Sequence, residues 1–284
     1  MLTILNAVEL STDYLNSKGV ESPRLNAEIL LANILDCKRM DLYLKFDQPL
    51  TKDETTKYRE SISRRGKREP LQYIIGKVEF YGLDFLVNPN VLIPRQETEI
   101  LIDTVLSQVD KEIKLGILDI GTGSGNITIS LLKHLPNSIF TSLDKSEEAI
   151  KTAKNNAILN GLENNIDFII KDFNNYELNG NEKFDVIVSN PPYIKLQEYS
   201  TLDKELLNYE PKDALTDNND GFSFYKLISE KADSILNEKG KIFFEVGINQ
   251  AEKVREIMVQ NNFSNIKFAK DYLGINRVVY GEKN

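Results

Sequence analysis

A doubly wound α/β sheet behind a small all-helical N-terminal domain is the fold class this 284-residue sequence predicts, on three observations. A short apolar run, Leu115 to Ile120, enters Gly121-Thr122-Gly123-Ser124-Gly125. It leaves into an amphipathic helix pattern in which Ile127, Leu131, Leu132 and Leu135 recur at helical spacing. From Glu97 onward strand-like and helix-like runs alternate, as they do in parallel sheets. Residues 1–75 hold only helical patterns, and residues 76–95 hold two short strand patterns around Tyr81-Gly82, a hairpin joining the domains.

Within residues 1–75, Ser22-Pro23 reads as a helix start with proline in the first turn. Thr51-x-x-Glu54 reads as a capping box. Gly19 and Gly66 fall where helix C-terminal caps belong. The basic run Arg64-Arg65-Gly66-Lys67-Arg68 is expected to be a solvated helix end rather than a docking patch. No glycine turn, acid pair or acceptor cluster occurs here, so this part is expected to dock a substrate rather than to catalyse.

The remainder, residues 96–284, carries the candidate chemistry. Strand, glycine turn and helix at 115–135 form a nucleotide-binding element, because glycines admit a ligand close to the backbone. The dinucleotide fingerprint needs a third glycine or alanine where this chain has Asn126, so a NAD site is excluded. Asp144 ends the second strand run, Ile139 to Leu143, where a carboxylate accepts from both hydroxyls of a ribose. Ser146-Glu147-Glu148 then reads as a capped, acidic helix start. Asp172-Phe173 ends the third run, Ile166 to Ile170, with an acid to accept from an adenine amine and a ring to cover its face.

Asn190-Pro191-Pro192-Tyr193 follows the fourth run, Phe184 to Val188, and is built of acceptors. Asn190 offers a side-chain carbonyl, Pro191 lacks an N–H, and Tyr193 adds a flat wall. Such a pocket suits a planar, neutral NH2 on an sp2 carbon: the amide of glutamine or asparagine, or the amine of adenine. The polar stretch between Tyr193 and Gly221 is expected to be a substrate lid or a disordered surface loop.

Composition narrows the classes. The formal charge of −8 argues against a duplex nucleic-acid substrate. Cys37 is the single cysteine and His134 the single histidine, so no metal site and no Ser-His or Cys-His chemistry is expected. No apolar run approaches the ~20 residues a membrane span needs, and the N-terminus has Glu9 and Asp13 where a signal peptide would be basic then apolar. A cytoplasmic monomer is expected.

Taken together, these motifs resemble the S-adenosylmethionine-dependent methyltransferases with a seven-stranded sheet. The closer resemblance is to the glutamine methyltransferases that modify peptide chain release factors. Further stretches carry it: Pro70-Leu71-Gln72-Tyr73-Ile74-Ile75-Gly76, Ile93-Pro94-Arg95-Gln96-Glu97-Thr98-Glu99, Tyr209-Glu210-Pro211, and Asp220-Gly221 ahead of Tyr225. The sequence departs from the family pattern at Gln96, where proline is usual, and inside Asp271 to Arg277.

The resemblance implies that S-adenosylmethionine is held by Gly121, Thr122, Gly123, Ser124, Gly125, Asp144, Phe173 and Asn190. It implies that Asn190, Pro191, Pro192 and Tyr193 bind and activate the glutamine of a Gly-Gly-Gln loop. The Asn190 side chain and the Pro191 carbonyl would accept both amide hydrogens, with Tyr193 as a wall. A glutamine on a ribosomal protein, an adenine amine, or a non-catalytic scaffold that binds S-adenosylmethionine are the alternatives.

Overall fold

The computed structural model describes residues 2–176 and 183–284. They divide into two compact units. One runs to Lys77 and takes in Asp203–Tyr209; the other holds Val78–Leu202 and Glu210–Asn284.

The first unit is helical: Ile4–Ser17, Pro23–Ile34, Asp41–Leu44, Lys52–Gly66 and Leu71–Ile75, joined by Lys204–Tyr209. Its core is an apolar cluster that includes Ile4, Val8, Leu15, Leu30, Leu31, Tyr58 and Ile62. The capping box forms in both halves: Thr51 Oγ1 accepts from the Glu54 amide at 3.2 Å, and Glu54 Oε2 accepts from the Thr51 amide at 2.7 Å.

The second helix begins at Pro23, as expected, with a left-handed Ser22 (φ 47°) ahead of it. Two expectations need correction. Gly66 is the last helical residue rather than a cap, and left-handed geometry falls to Arg68 (φ 71°). Glycine is needed at 66 for space, since a Cβ there would come within 2.5 Å of the Tyr14 ring. The basic run is not a solvated helix end. Arg65, 5% exposed, donates to Asn26 Oδ1 at 2.7 Å, to the Glu69 carbonyl at 2.9 Å and to Glu205 at 2.9 Å. Arg68 reaches the Gly19 carbonyl and pairs with Glu205 at 3.1 Å.

The second unit opens with the hairpin of strands β1 (Lys77–Phe80) and β2 (Leu83–Leu86). Its two-residue turn has positive φ at Tyr81 (51°) and Gly82 (71°), the twist-matched geometry that two-residue hairpins prefer. The main sheet comprises β3 (Gly116–Ile120), β4 (Ile139–Asp144), β5 (Ile166–Ile170), β6 (Phe184–Ser189), β7 (Leu236–Glu245), β8 (Phe263–Lys270) and β9 (Asn276–Lys283). Their spatial order is β5-β4-β3-β6-β7-β9-β8. β3 to β7 pair in parallel, and β9 runs antiparallel to both β7 and β8.

Alternate residues of the strands feed opposite faces, as the pleat requires. Ile117, Val186 and Val188 join helices Thr98–Gln108 and Asn126–His134 on one side. Leu118, Ile120 and Ile187 join Ser223–Ile235 and Ala251–Gln260 on the other. The order reverses between β3 and β6, whose strands start crossovers to opposite sides, and that switch point is where open α/β sheets bind ligands.

Candidate active site

A cavity of about 400 Å³ lies at the C-terminal ends of β3, β4, β5 and β6. It is bordered by Gly121 and Gly123 from the glycine turn, Asp144 from β4, Phe173 after β5, and Asn190, Pro191 and Pro192 after β6. Pro211–Ala214 close another side. These four residues are the part of the stretch between Tyr193 and Gly221 that borders the cavity, and near them the Ile194 amide donates to the Leu215 carbonyl at 3.0 Å.

Each cofactor-binding candidate has a physical reason for its place. Gly121 and Gly123 have φ of 79° and 55°, and a Cβ on either would meet nothing within 4 Å. Glycine at these two positions serves backbone conformation and leaves the backbone open to a ligand. Gly125, also left-handed, does a different job. It starts the helix Asn126–His134, and a Cβ there would press to 3.1 Å on Ala153.

Asp144 is half-buried. Its Oδ2 accepts from the Gly123 amide at 3.0 Å and its Oδ1 from the Ser146 amide at 2.9 Å. Burial raises its pKa above the ordinary aspartate value, although both amides pull it down. Each oxygen keeps a lone pair for a further donor. Phe173 borders the cavity while 5% exposed, stacked on Tyr176 with ring centroids 6.1 Å apart. Asp172 accepts from the Asn174 amide at 2.8 Å and caps the short turn after β5.

Thr122, Ser124, Gly125 and Tyr193 do not border the cavity. Thr122 donates to Asp119 Oδ2 at 2.7 Å, Thr128 donates to the same oxygen at 2.8 Å, and Ser124 is buried. Asp119, at the centre of the sheet with no exposed surface, is pushed up to about 6 by burial, against the pull of those hydroxyls. It ties the glycine turn to β3 from beneath, a role that sequence reasoning missed.

Tyr193 is half-buried, and desolvation raises its phenol well above the ordinary tyrosine value. Its carbonyl accepts from Gln250 Nε2 at 2.9 Å. Gly221 lies so close that a Cβ there would meet this carbonyl at 2.5 Å. Asp220-Gly221, singled out in the sequence, thus packs directly behind Tyr193.

Asn190 follows the last residue of β6. The register pairs Ser189 with Phe244, so Asn190 comes beside Glu245 at the end of β7. Asn190 Nδ2 donates to Thr98 Oγ1 at 3.2 Å. Among the described residues no donor reaches its Oδ1. Thr98 and Glu245 are both buried, and side-chain hydrogen bonds from Thr98 and Asn190 favour the charged form of the Glu245 carboxyl. Desolvation outweighs them and pushes this carboxyl up to about 7. Thr98 and Arg95 belong to the Ile93–Glu99 stretch; Arg95 pairs with the buried Glu210 at 2.5 Å, joining it to the Tyr209-Glu210-Pro211 stretch.

Open glycine backbone, a carboxylate with spare lone pairs and an acceptor-rich wall fit S-adenosylmethionine, and together with the sheet order they define an S-adenosylmethionine-dependent methyltransferase. The comparisons agree. Residues 6–76 match the family model described as the PrmC N-terminal domain, and residues 111–270 match a methyltransferase domain model.

The release factor glutamine methyltransferase of Fusobacterium nucleatum is 42% identical over 280 residues, 98% of this chain and 78% of that protein. That of Geobacter sulfurreducens is 41% identical, covering 98% of this chain and 96% of its own. A methyltransferase crystal structure from Pyrococcus furiosus shares the fold, with TM-score 0.52 and 20% identity, over 72% of this chain and 91% of that one. The chain belongs to the release factor glutamine methyltransferase family.

Proposed function

We propose that the protein methylates the side-chain amide nitrogen of the glutamine in the Gly-Gly-Gln loop of peptide chain release factors, and that Asn190-Pro191-Pro192-Tyr193 is where that amide is held. The observation that carries this is the orientation of Asn190. Its Nδ2 is engaged inward on Thr98, which leaves Oδ1 as the acceptor for the substrate.

An amide nitrogen is a poor nucleophile because its lone pair is shared with the carbonyl, the resonance behind the ~18–20 kcal/mol rotation barrier of a peptide bond. Acceptance of its two hydrogens by Asn190 Oδ1 and the Pro191 carbonyl draws electron density back toward nitrogen and fixes the amide plane. Orientation of this kind contributes roughly 7–11 kcal/mol in well-aligned systems. Tyr193 forms the wall that limits rotation of the amide, and its backbone is held by Gln250.

Gly121, Gly123, Asp144 and Phe173 are assigned to hold S-adenosylmethionine, with Asp144 taking the ribose hydroxyls. S-adenosylmethionine, when bound, supplies a methyl group on a positively charged sulfur. The buried Thr122, Ser124 and Gly125 support that region by shaping the turn. The helical unit is assigned to docking of the release factor, and a monomer without nucleic-acid or membrane partners completes the reading. No helix among the described residues is long and apolar enough to cross a membrane.

Asn190→Ala tests the assignment. Methyl transfer should fall at least a hundredfold while S-adenosylmethionine still binds, as calorimetry would show. Unchanged transfer would remove Asn190 from the chemistry.

A further inference from the structure

The side chain of an asparagine can be turned over at little steric cost, so something must decide which of its two ends faces the substrate. Around Asn190 the decision falls to two buried residues far away in sequence, Thr98 at the start of helix Thr98–Gln108 and Glu245 at the end of β7. They are 1% and 2% exposed, so water does not compete for their hydrogen bonds. We propose that Thr98 and Glu245 are positioning residues for methyl transfer, which oblige Asn190 to keep Nδ2 inward and Oδ1 toward the substrate amide. The proposal rests on the reading of Asn190 as the group that accepts the substrate hydrogen.

Threonine has one hydroxyl proton and can also accept, whereas an ionised carboxylate only accepts. Thr98 and Asn190 both favour the charged form of the Glu245 carboxyl, and an ionised carboxylate beside them can only draw their protons toward itself. Thr98 Oγ1 can then only accept from Asn190, as its 3.2 Å contact with Nδ2 shows. An inward Oδ1 would face two acceptors and no donor. Glu245 Oε2 has no hydrogen-bond partner among the described residues, so even with Thr98 and Asn190 in place the carboxylate keeps unused accepting capacity.

A protonated Glu245 would reverse the logic. Its O–H could donate to Thr98, whose own proton would then be free to meet Asn190 Oδ1, and the amide could turn over. The orientation therefore depends on the charge at 245. Four neighbours act on that charge: Glu97 disfavours it, Arg277 favours it, and the phenols of Tyr193 and Tyr225 lie nearby. Tyr225 also fixes the main chain, donating to the Glu245 carbonyl at 2.9 Å. As the nitrogen–methyl bond forms and the sulfur–methyl bond breaks, one amide proton leaves to solvent; Thr98 and Glu245 take no proton from the substrate and act only through Asn190.

The test is single-turnover methyl transfer to a release factor between pH 6 and 8.5, with S-adenosylmethionine affinity and thermal midpoint measured in parallel. Thr98→Val, which keeps the shape and removes the hydroxyl, should slow transfer at pH 8 about tenfold or more without changing cofactor affinity, and Thr98→Ser should restore it. Wild-type turnover should fall as pH drops through about 7, where Glu245 gains its proton. Glu245→Gln, which like the protonated acid carries both a donor and an acceptor, should match wild type at pH 6, trail it about tenfold at pH 8, and show no fall through that range. Its thermal midpoint should exceed the wild-type value at pH 8 and converge with it near pH 5.

Equal rates for wild type, Thr98→Val and Glu245→Gln at every pH, with Asn190→Ala inactive, would overturn the inference and leave Asn190 in place. A pH-independent loss in Glu245→Gln would overturn it as well, as a structural defect. Full activity in Asn190→Ala would instead overturn the reading on which it rests. If Thr98→Val does not fold, the pH profiles of wild type and Glu245→Gln decide alone.

Discussion

In the helical unit, Glu28 is 3% exposed, yet it accepts from Arg24 at 2.9 Å, Arg39 at 2.8 Å and Tyr43 at 2.6 Å. Burial alone would raise this carboxyl, but the three donors overcome it and hold it below the ordinary glutamate value. In the catalytic unit, Glu245 and Asp119 are as deeply buried. Hydroxyl and amide groups serve them instead of guanidinium groups, each keeps one oxygen without a partner among the described residues, and both are pushed upward.

Glu28 and Arg65 in the helical unit are buried charges held in satisfied pairs, as expected where the charge maintains shape. Glu245 and Asp119 in the catalytic unit are carboxylates whose burial weakens the fold, as expected where a carboxylate must act as an acceptor, whereas Glu210 in the same unit is paired with Arg95. Two such departures from easy packing lie beneath the glycine turn, at Asp119, and behind Asn190, at Glu245.

That contrast can be broken most forcefully at Arg65. Arg65→Ala removes three hydrogen bonds and one of the two arginines that pair with Glu205, which should cost about 2–4 kcal/mol in chemical denaturation. A loss under about 1 kcal/mol would show that the helical unit does not depend on its paired charges.

The opposite sign is expected at Glu245. Its folded value of about 7 stands above the ordinary 4.5, so its contribution is fully present below pH 4.5 and is lost as pH rises through 7. Glu245→Gln should therefore be more stable than wild type at pH 8, by about 3 kcal/mol at about 1.4 kcal/mol per pH unit, with the gain vanishing near pH 4.5. A variant less stable at pH 8 would place Glu245 with the shape-maintaining charges.

Smaller effects sharpen the comparison. Asp144→Ala removes the proposed acceptor for the ribose and should weaken S-adenosylmethionine by about tenfold or more, given roughly 1.5–3 kcal/mol for a charged hydrogen bond. An unaltered dissociation constant would take the ribose away from Asp144. Thr51→Ala opens the capping box of helix Lys52–Gly66 and should cost about 1 kcal/mol without affecting transfer.

Local sequence carried much of this structure. The hairpin turn at Tyr81-Gly82, the strand at Ile166–Ile170, the glycine turn and the capping box are all set by residues within a few positions of one another. Neighbours from afar were not legible. Asn190 meets Glu245 because the sheet places β6 against β7, and Thr98 comes in from a helix that precedes the whole sheet. Arg64–Arg68 read as a solvated helix end because Asp203–Tyr209, which supplies Glu205, lies far along the chain.

One signal was available. Glu245 ends the apolar run Ile242-Phe243-Phe244, much as Asp144 ends its own strand, and an acid in that position faces the ligand end of a parallel sheet. Asp119 carried a similar mark, two residues ahead of Gly121 inside an apolar strand. Gln250 gave none, since its contact with the Tyr193 carbonyl depends on tertiary packing alone.

Methyl transfer from labelled S-adenosylmethionine to a purified release factor tests the reaction and its target residue together. The measurement is made beside a release factor whose loop glutamine is changed to alanine. Label on the unaltered factor and none on the altered one is the expected result. Equal label on both, or label on neither, would contradict the glutamine assignment and turn attention to ribosomal proteins and adenine amines.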